Sequence, residues 1–354
     1  MHLRLYSEQM TRAQLLAMRN ADGPYLQAVR TRLDSRRAAL GLHLPVELEL
    51  VQRVELSKPS SFDDASALLT EAAQLGVDAI RLWPQLSREE GLFLNLDSAA
   101  RFFDRLHAML DAMPSSLRSR TALLFDLEPP IQRFSNGLNT LTSLNLSSKQ
   151  TATLGLRRRL ETVTERTPNA THVAAIFLAP SQPLQLLYEH LMATPSEHEG
   201  QALFGELDAM AYGSLLAYFM PRRWAMGALG ARWVRRLAAQ HYDRCARLQA
   251  RGSMILGCIS TGALGNEPCY AHPRELAMAA RAAGSPWLAR LGLFEVAGLF
   301  HAPNGEPRDW ALWTDALLGI APGLERLRRP NWQLRTKTLQ RHFQAAASEL
   351  GREA

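Results

Sequence analysis

The stretch that decides the fold runs from FDDASALLTEAAQLG (62–76) through VDAIRLW (77–83) and SAARFFDRLHAMLDAM (98–113) to TALLFDLE (121–128). The first and third segments repeat apolar residues three and four positions apart, which is the spacing of an amphipathic helix. The second and fourth are short and almost continuously apolar, which is typical of strands buried on both faces of a parallel sheet. The stretch therefore predicts two successive helix–strand units.

The same alternation extends over most of the chain. Eight apolar runs are predicted as strands, the first of them weak: Leu3–Tyr6, Val46–Leu56, Val77–Trp83, Thr121–Glu128, His172–Ala179, Leu203–Tyr212, Ser253–Ser260 and Leu291–Leu299. Eight strands separated by helices predict an α/β fold, the (β/α)8 TIM-type barrel, with an irregular or weak first strand. A doubly wound open sheet is the alternative, but no G-x-G-x-x-G or G-x-x-x-x-G-K-[ST] motif follows any run.

The sequence pattern predicts a single domain. Helices are predicted to end at Gly76, Gly252 and Gly284, each just before the next strand. No internal repeat or Ser/Gly linker interrupts the pattern. Residues 1–354 are therefore interpreted as one barrel domain, with an N-terminal strand and helical segment at 1–40 and a C-terminal helical tail at 322–354.

Composition narrows the function classes. The 354 residues are 47% hydrophobic and 21% charged, which is typical of a globular protein with a sizeable core. The net charge of +6 weakly favours anionic partners. No aromatic residues are interleaved with the arginine clusters, so nucleic-acid binding is not expected. The three cysteines lack C-x-x-C spacing, which argues against a disulfide framework and against a structural zinc site, although a single disulfide bond stays possible. No metal or other cofactor is predicted.

The N-terminal sequence and the length of the apolar runs indicate where in the cell the protein is expected. The N-terminal MHLRLYSEQMTRAQ contains no charged segment followed by the apolar core of a signal peptide. No run approaches the roughly 18 apolar residues that a membrane span needs. We therefore expect a cytoplasmic protein without a membrane span, and the oligomeric state stays open.

The candidate chemistry lies where strands end. In a parallel barrel the carboxyl ends of the strands surround one shared mouth. Asp126 and Glu128 stand two apart at the end of TALLFDLE, so both carboxyl groups are expected on the same face. Two such acids separate in proton affinity, and one can then serve as a general acid. A polar strand end that caps a helix or pairs with arginine is the alternative interpretation.

Further candidates come from other strand ends and one loop. Asp208, Met210 and Tyr212 alternate onto one face of the sixth run, where Tyr212 is either a donor at the mouth or a barrel-lining aromatic. The remaining candidates for substrate binding are Arg81, Trp83, Glu267, Tyr270 and Glu295. Because a buried carboxylate needs compensation, Glu295 is expected to pair with an interior arginine such as Arg81.

These motifs resemble the glycoside-hydrolase barrels related to chitinases and endo-N-acetylglucosaminidases. In that family the fourth strand ends in D-x-x-D-x-D-x-E and the sixth carries M-x-Y-D. Residues 126–128 match the final D-x-E, residues 210–212 match M-x-Y, and Gly213 replaces the last Asp. The resemblance implies that Glu128 protonates the glycosidic oxygen, Asp126 steers an acetamido group that acts as internal nucleophile, and Tyr212 holds that group. The implied partner is a saccharide, possibly N-acetylated.

Two other functions stay open. Glu128, His172, Asp208 and Glu295 lie on different predicted strands, and an oxygen-rich set with one His would suit Mg²⁺ or Mn²⁺ in a metal-dependent sugar isomerase or epimerase. A barrel that has lost key acids could also bind a saccharide or a partner protein without catalysis.

Overall fold

A computed structural model describes residues 1–20, 23–95, 98–128, 146–177, 204–218, 221–262, 265, 267–284, 290–322 and 324. Its main sheet has eight parallel strands. They are β1 His2–Ser7, β2 Glu47–Glu55, β3 Ala79–Gln85, β4 Leu124–Leu127, β5 Val173–Phe177, β6 Glu206–Ala211, β7 Arg251–Leu256 and β8 Arg290–Phe294. Arg19–Asn20 and Gly23–Pro24 form a separate two-stranded antiparallel pair.

The strands follow one another around a ring. Apart from β3 and β4, each strand forms a ladder with its sequence neighbours, and β1 lies between β2 and β8. The last gap is bridged where the backbone N–H of Leu82 in β3 donates to the carbonyl of Ala122, 3.0 Å away and just before β4. The predicted (β/α)8 barrel is therefore confirmed. The first strand, expected to be weak, is a regular strand of six residues.

Helices surround the ring. They are α1 Arg12–Ala17, α2 Tyr25–Ala39, α3 Ser60–Leu68, α4 Ala72–Leu75, α5 Ala99–Ala112, α6 Ser115–Arg118, α7 Leu146–Arg166, α8 Arg222–Ala225, α9 Ala228–Leu248, α10 Pro273–Ala283 and α11 Trp310–Leu317. Gly213–Tyr218 and Val296–Leu299 are 3₁₀ helices. An outer apolar core joins helices to strands, and each large side chain buried in it contributes about 1.5–3 kcal/mol.

Two of the three predicted helix ends are correct. Gly76 and Gly284 follow α4 and α10 with φ of 74° and 95°, the left-handed conformation that favours glycine. The prediction for Gly252 is wrong, because α9 ends at Leu248 and Gln249 adopts the left-handed conformation. Gly252 lies inside β7, where a Cβ would come within 2.7 Å of the Cys245 sulfur on α9. Glycine is needed there for close approach of the helix.

The eighth strand is shorter than predicted. It ends at Phe294, and residues 296–299 turn into a 3₁₀ helix instead of continuing the strand. Glu295 therefore follows the strand directly, and its carboxyl caps the new helix by accepting from the Ala297 N–H at 3.4 Å. The apolar sequence alone did not reveal this change of conformation.

A charged layer fills the amino-terminal half of the barrel interior. We call it the floor network, and it consists of Arg4, Glu49, Arg81, Glu206 and Asp208. Arg4 lies at its centre, with its guanidinium 2.6 Å from Glu49 Oε2, 2.6 Å from Asp208 Oδ1 and bonded to Glu206. Arg81 Nη2 lies 2.9 Å from Glu49 Oε1. Charge therefore replaces hydrocarbon in this layer, and each carboxylate has at least one arginine beside it.

Some predictions concern other parts of the chain. Cys245, Cys258 and Cys269 are all free thiols, so the bridge left open does not form. No helix in the described ranges is both long and apolar enough to cross a bilayer. Residues 325–354 of the predicted tail lie outside the described residues, and so does the Pro129–Pro130 pair after β4. The division into one domain with these flanking segments stays a prediction.

Candidate active site at the barrel mouth

Asp126 and Glu128 both face the interior at the carboxyl end of β4. Asp126 is 3% exposed, whereas Glu128 is partly open to solvent. Burial raises the pKa of Asp126 well above its usual range, and the charges of Glu128 and Glu8 raise it further. Burial, followed by the charges of Glu8 and Glu267, raises the pKa of Glu128 to about 8. The two carboxyl groups therefore share one recessed space, and Glu128 is the one that solvent reaches.

Glu8, which the sequence analysis missed, belongs to the same site. It follows β1 in the alternation Arg4, Tyr6, Glu8, whose first two members face the barrel interior. The Gln85 side-chain amide at the end of β3 donates to Glu8 Oε1 at 3.0 Å. The signal that could have found Glu8 is the same two-residue spacing that singled out Asp126 and Glu128.

Glu267 reaches the same space from the loop after β7. Its Oε2 accepts from the backbone N–H of Gly262 at 3.1 Å. A Cβ on Gly262 would meet Glu8 Oε2, the Phe294 ring and, at 3.0 Å, Glu267 Oε1. The Glu8 and Glu267 carboxylates therefore flank one small gap. We call Glu8, Asp126, Glu128 and Glu267 the mouth carboxylates.

Glu295 lies against this cluster but is tied to the backbone. Its side chain is 0% exposed and accepts from the Glu8 backbone N–H at 2.5 Å. Burial raises the pKa of Glu295 to about 8 despite these N–H donors. The expected pairing of Glu295 with Arg81 is wrong, because Arg81 lies in the floor network beside Glu49 and donates to the carbonyls of Leu123 and Thr171. Backbone amides, not an arginine, are the partners of Glu295 here.

Aromatic rings form the base of the site. Trp83 is 4% exposed and makes edge contacts with Tyr6 and Phe294, at centroid distances of 5.9 and 6.3 Å. Tyr212 stacks on Phe294 at 5.5 Å. Within the described chain, neither Trp83 Nε1 nor Asp126 Oδ1 has a hydrogen-bond partner, although the indole lies close enough to lower the pKa of Asp126 slightly. The indole N–H and the Asp126 carboxyl group therefore lie close together at the base of the site.

Tyr212 is a neutral donor in this environment. Burial, together with Cys258 and Asp126, raises the pKa of its hydroxyl well above the usual range. Among the described residues, no hydrogen bond of this hydroxyl is present. The hydroxyl is therefore available to a bound molecule.

Gly213, where the resembling family has Asp, occupies a tight position. A Cβ there would lie 2.9 Å from the Tyr270 hydroxyl and 3.2 Å from Val234 Cγ2. Gly213→Asp is therefore expected to lower the free energy of unfolding by about 1–3 kcal/mol, as overpacking does. Denaturant unfolding measures this change. The matched control is Gly205→Asp, at an exposed glycine where the nearest atom to an added Cβ, Thr171 Cγ2, is 3.4 Å away. Equal stability of both variants would contradict the prediction.

The other predicted binding residues lie at different depths. Met210 packs in the barrel interior beside the aromatic rings. Asp208 lies lower, in the floor network, where it also accepts from the Tyr6 hydroxyl and from Ser253 Oγ. Tyr270 packs in the outer core and not at the mouth, because its backbone is held to Cys258 and its ring lies against Gly213. In the same loop His272 is exposed, and Asn266 lies outside the described residues.

The residues of the metal-dependent alternative do not come together. His172 lies at the amino-terminal end of the barrel, where its ring contacts the Thr167 hydroxyl at 2.9 Å and the Leu123 N–H at 3.3 Å. Asp208 is engaged in the floor network and Glu295 by the backbone. Among the described residues, no group of three His, Cys, Asp or Glu side chains is arranged to hold a metal ion.

Fold and site together define a (β/α)8 barrel with a carboxylate-lined mouth over an aromatic base. The sequence matches no family model and no curated protein. Solved structures to which the chain is similar include three glycoside hydrolases, which are the PgaB (BpsB) glycoside hydrolase domain from Bordetella bronchiseptica, a broad-specificity GH5-4 endoglucanase from Clostridium longisporum and the catalytic domain of a GH18 chitinase from the fern Pteris ryukyuensis.

The similarity to these structures concerns the fold. For the PgaB domain the identity is 11% and the TM-score 0.47, with 89% of this chain and 98% of that one covered. For the endoglucanase the identity is 9% and the TM-score 0.47, with 82% of this chain and 84% of that one covered. For the chitinase the identity is 10% and the TM-score 0.42, with 90% of this chain and 100% of that one covered. These values carry no argument about function, so the chemistry of this barrel has to be argued from its own residues.

Proposed function

We propose that this barrel cleaves or transfers a glycosidic bond of a saccharide, with Glu128 as general acid and Asp126 assisting. The observation that carries the proposal is the environment of Glu128, which is reachable from the mouth yet has a pKa raised to about 8. A carboxyl group of this kind keeps its proton near neutral pH and can donate it to a leaving oxygen.

The neighbouring side chains suit the same reaction. Tyr212 is partly exposed and stacks on Phe294 with one face, so its other face offers apolar surface for a sugar ring. Trp83 is buried and supports Phe294 by an edge contact. Asp126 and Tyr212 present an acceptor and a donor beside Glu128, which are the groups that the resembling family uses to hold a substrate acetamido group. Glu267 and Met210 complete the wall, whereas Arg81 and Asp208 act from below by holding the floor on which Trp83 and Tyr6 rest.

The acid role predicts a particular pH dependence. A general acid works only when protonated, so kcat/KM should fall tenfold per pH unit above about 8, where Glu128 loses its proton. The measurement is the initial rate on a panel of aryl glycosides and amino-sugar oligomers between pH 5 and pH 10. Glu161→Gln, on the exposed face of α7, is the control and should keep the wild-type profile.

Other outcomes of that assay point to other functions. Activity that increases through pH 8 would contradict Glu128 as acid. Binding of a saccharide without turnover during long incubation would leave the barrel a binding protein. A stoichiometric divalent ion in the purified protein would favour the metal-dependent isomerase or epimerase, whereas a glycosidase activity that is insensitive to EDTA would rule it out.

A further inference from the structure

A groove lies on the outside of the barrel, between α2 and α11. Its volume is about 500 Å³. Helix α2 contributes Arg32, Ser35 and Arg36 to its lining, and α11 contributes its first residue, Trp310. Pockets that hold small molecules typically measure about 300–1,000 Å³. The groove is therefore large enough for a ring with a charged substituent.

Two arginines of the groove share one buried carboxylate. Asp315 on α11 is 4% exposed, and its two oxygens accept from Nε and Nη2 of Arg32 at 2.8 and 2.7 Å. The same oxygens accept from Nε and Nη2 of Arg36 at 3.2 and 2.9 Å. A single guanidinium group already matches a carboxylate through two N–H groups. The second arginine therefore leaves an excess of one positive charge at the groove.

Both guanidinium groups keep donors that the shared carboxylate does not use. In the described part of the chain, Nη1 of Arg32 and Nη1 of Arg36 make no hydrogen bond. The two side chains are 28% and 45% exposed, so a molecule in the groove can reach them. Asp34 and Asp309, the acids nearest in sequence on the two helices, accept from backbone N–H groups, and neither pairs with these arginines.

The other groups of the groove fit a phosphate carried by a ring. Ser35 is exposed beside Arg36 and brings a hydroxyl donor. Trp310 is partly exposed, and an edge contact with the Tyr25 ring, at a centroid distance of 6.4 Å, holds its indole in place. A phosphate group has three strong acceptor oxygens, so it can bridge two guanidinium groups and a hydroxyl. An indole beside these donors offers apolar surface to a ring.

We infer that this groove binds a phosphomonoester carried by a ring, as in a nucleoside monophosphate or a sugar phosphate. The phosphate oxygens accept from Nη1 of Arg32 and of Arg36 and from the Ser35 hydroxyl, while the ring packs against Trp310. The groove lies on the outside of the barrel and shares no residue with the mouth, so the inference does not depend on the proposed function.

Calorimetry at neutral pH and low salt tests the inference. The ligands are adenosine monophosphate, glucose-6-phosphate, inorganic phosphate and adenosine. We expect at least one of the two esters to bind at least about tenfold more tightly than inorganic phosphate and adenosine, because charged hydrogen bonds and ring packing then act together. Tighter binding of the nucleotide would identify a nucleotide ligand, and tighter binding of the other ester a sugar phosphate. No binding of either ester at millimolar concentration, or equally tight binding of inorganic phosphate, would overturn the inference.

Variants locate the binding site. Arg36→Gln leaves Arg32 on Asp315, so the fold should be kept, whereas the affinity for the bound ester should decrease at least about tenfold. Trp310→Ala should weaken binding of the ester and leave that of inorganic phosphate unchanged. Arg105→Gln is the matched control, since Arg105 on α5 is 48% exposed and pairs with a single carboxylate. An affinity that survives Arg36→Gln, or that decreases equally with Arg105→Gln, would place the phosphate elsewhere and sink the assignment.

Discussion

Glu128→Gln is expected to lower kcat/KM for a glycoside substrate by at least about 100-fold, which is the usual contribution of a positioned general acid. Glutamine keeps the size and hydrogen-bonding shape of a protonated glutamic acid but cannot deliver a proton. Because Glu128 keeps its proton near neutral pH, the change exchanges one neutral side chain for another of the same shape, so folding should not suffer. The measurement is steady-state kinetics with denaturant unfolding as a check.

The leaving group of the substrate separates this role from a structural one. A leaving group that departs without protonation, such as dinitrophenolate, needs no acid, so the loss for Glu128→Gln should be much smaller with that substrate. Asp126→Asn provides the comparison, since a residue that steers the substrate should lose activity with both kinds of leaving group. Equal activity of Glu128→Gln and wild type on a poor leaving group would remove Glu128 from the mechanism.

Arg4→Met is expected to lower the free energy of unfolding by about 3–5 kcal/mol, the usual cost of breaking a buried ion pair by removing one partner. Arg4 contacts Glu49, Glu206 and Asp208, all of them buried, and methionine fills much of its volume without its charge. Against the effect of burial, Arg4 holds the pKa of Asp208 below the usual range, and His2, Arg81 and Arg4 together do so for Glu49. Urea unfolding at neutral pH measures the effect.

The sign of the pH dependence follows from these lowered pKa values. Carboxylates with depressed pKa stabilise the folded protein above their unfolded pKa, and this stability is lost as the pH falls through the folded value. The difference between wild type and Arg4→Met should therefore shrink toward pH 4, where the orphaned acids take up protons. Arg30→Met, which breaks the exposed pair with Asp78, should cost about 0–1 kcal/mol, and an equal cost for both variants would contradict the prediction.

Most of the architecture was predictable because it rests on local pattern. The hydrophobic periods of strands and helices differ, so the strands and helices between residues 62 and 128 can be assigned without any long-range information. The predictions that failed concern places where two segments meet. Gly252 is a glycine because α9 passes over it, and the eighth strand ends early because Glu295 finds backbone donors at Glu8 and Ala297. These contacts depend on the path of the backbone in three dimensions, which periodicity alone does not describe.

The candidate site, like the fold, has one part that was predictable from the sequence and one part that was not. Alternation placed Asp126 and Glu128 together, since residues two apart on a strand share a face. The approach of Glu8 and Glu267 was not predictable, because they lie far apart in the sequence and meet only when β1 closes the ring beside β8. The partner of Arg81 was misassigned for a related reason. The register between strands places Arg81 in line with Val51, Tyr6 and Phe294, one residue before Glu295, and this register is not visible in the sequence.

By itself, the amino-acid sequence determined the eight strands, their parallel arrangement and the D-x-E pair at the end of the fourth, because periodicity and short spacings are properties of the chain alone. Only the tertiary structure decided which carboxyl groups share one space at the barrel mouth and which lie beside arginine in the floor network. The physical reason is that proton affinity depends on burial and on charges a few ångströms away, and ring closure, not sequence proximity, sets those distances.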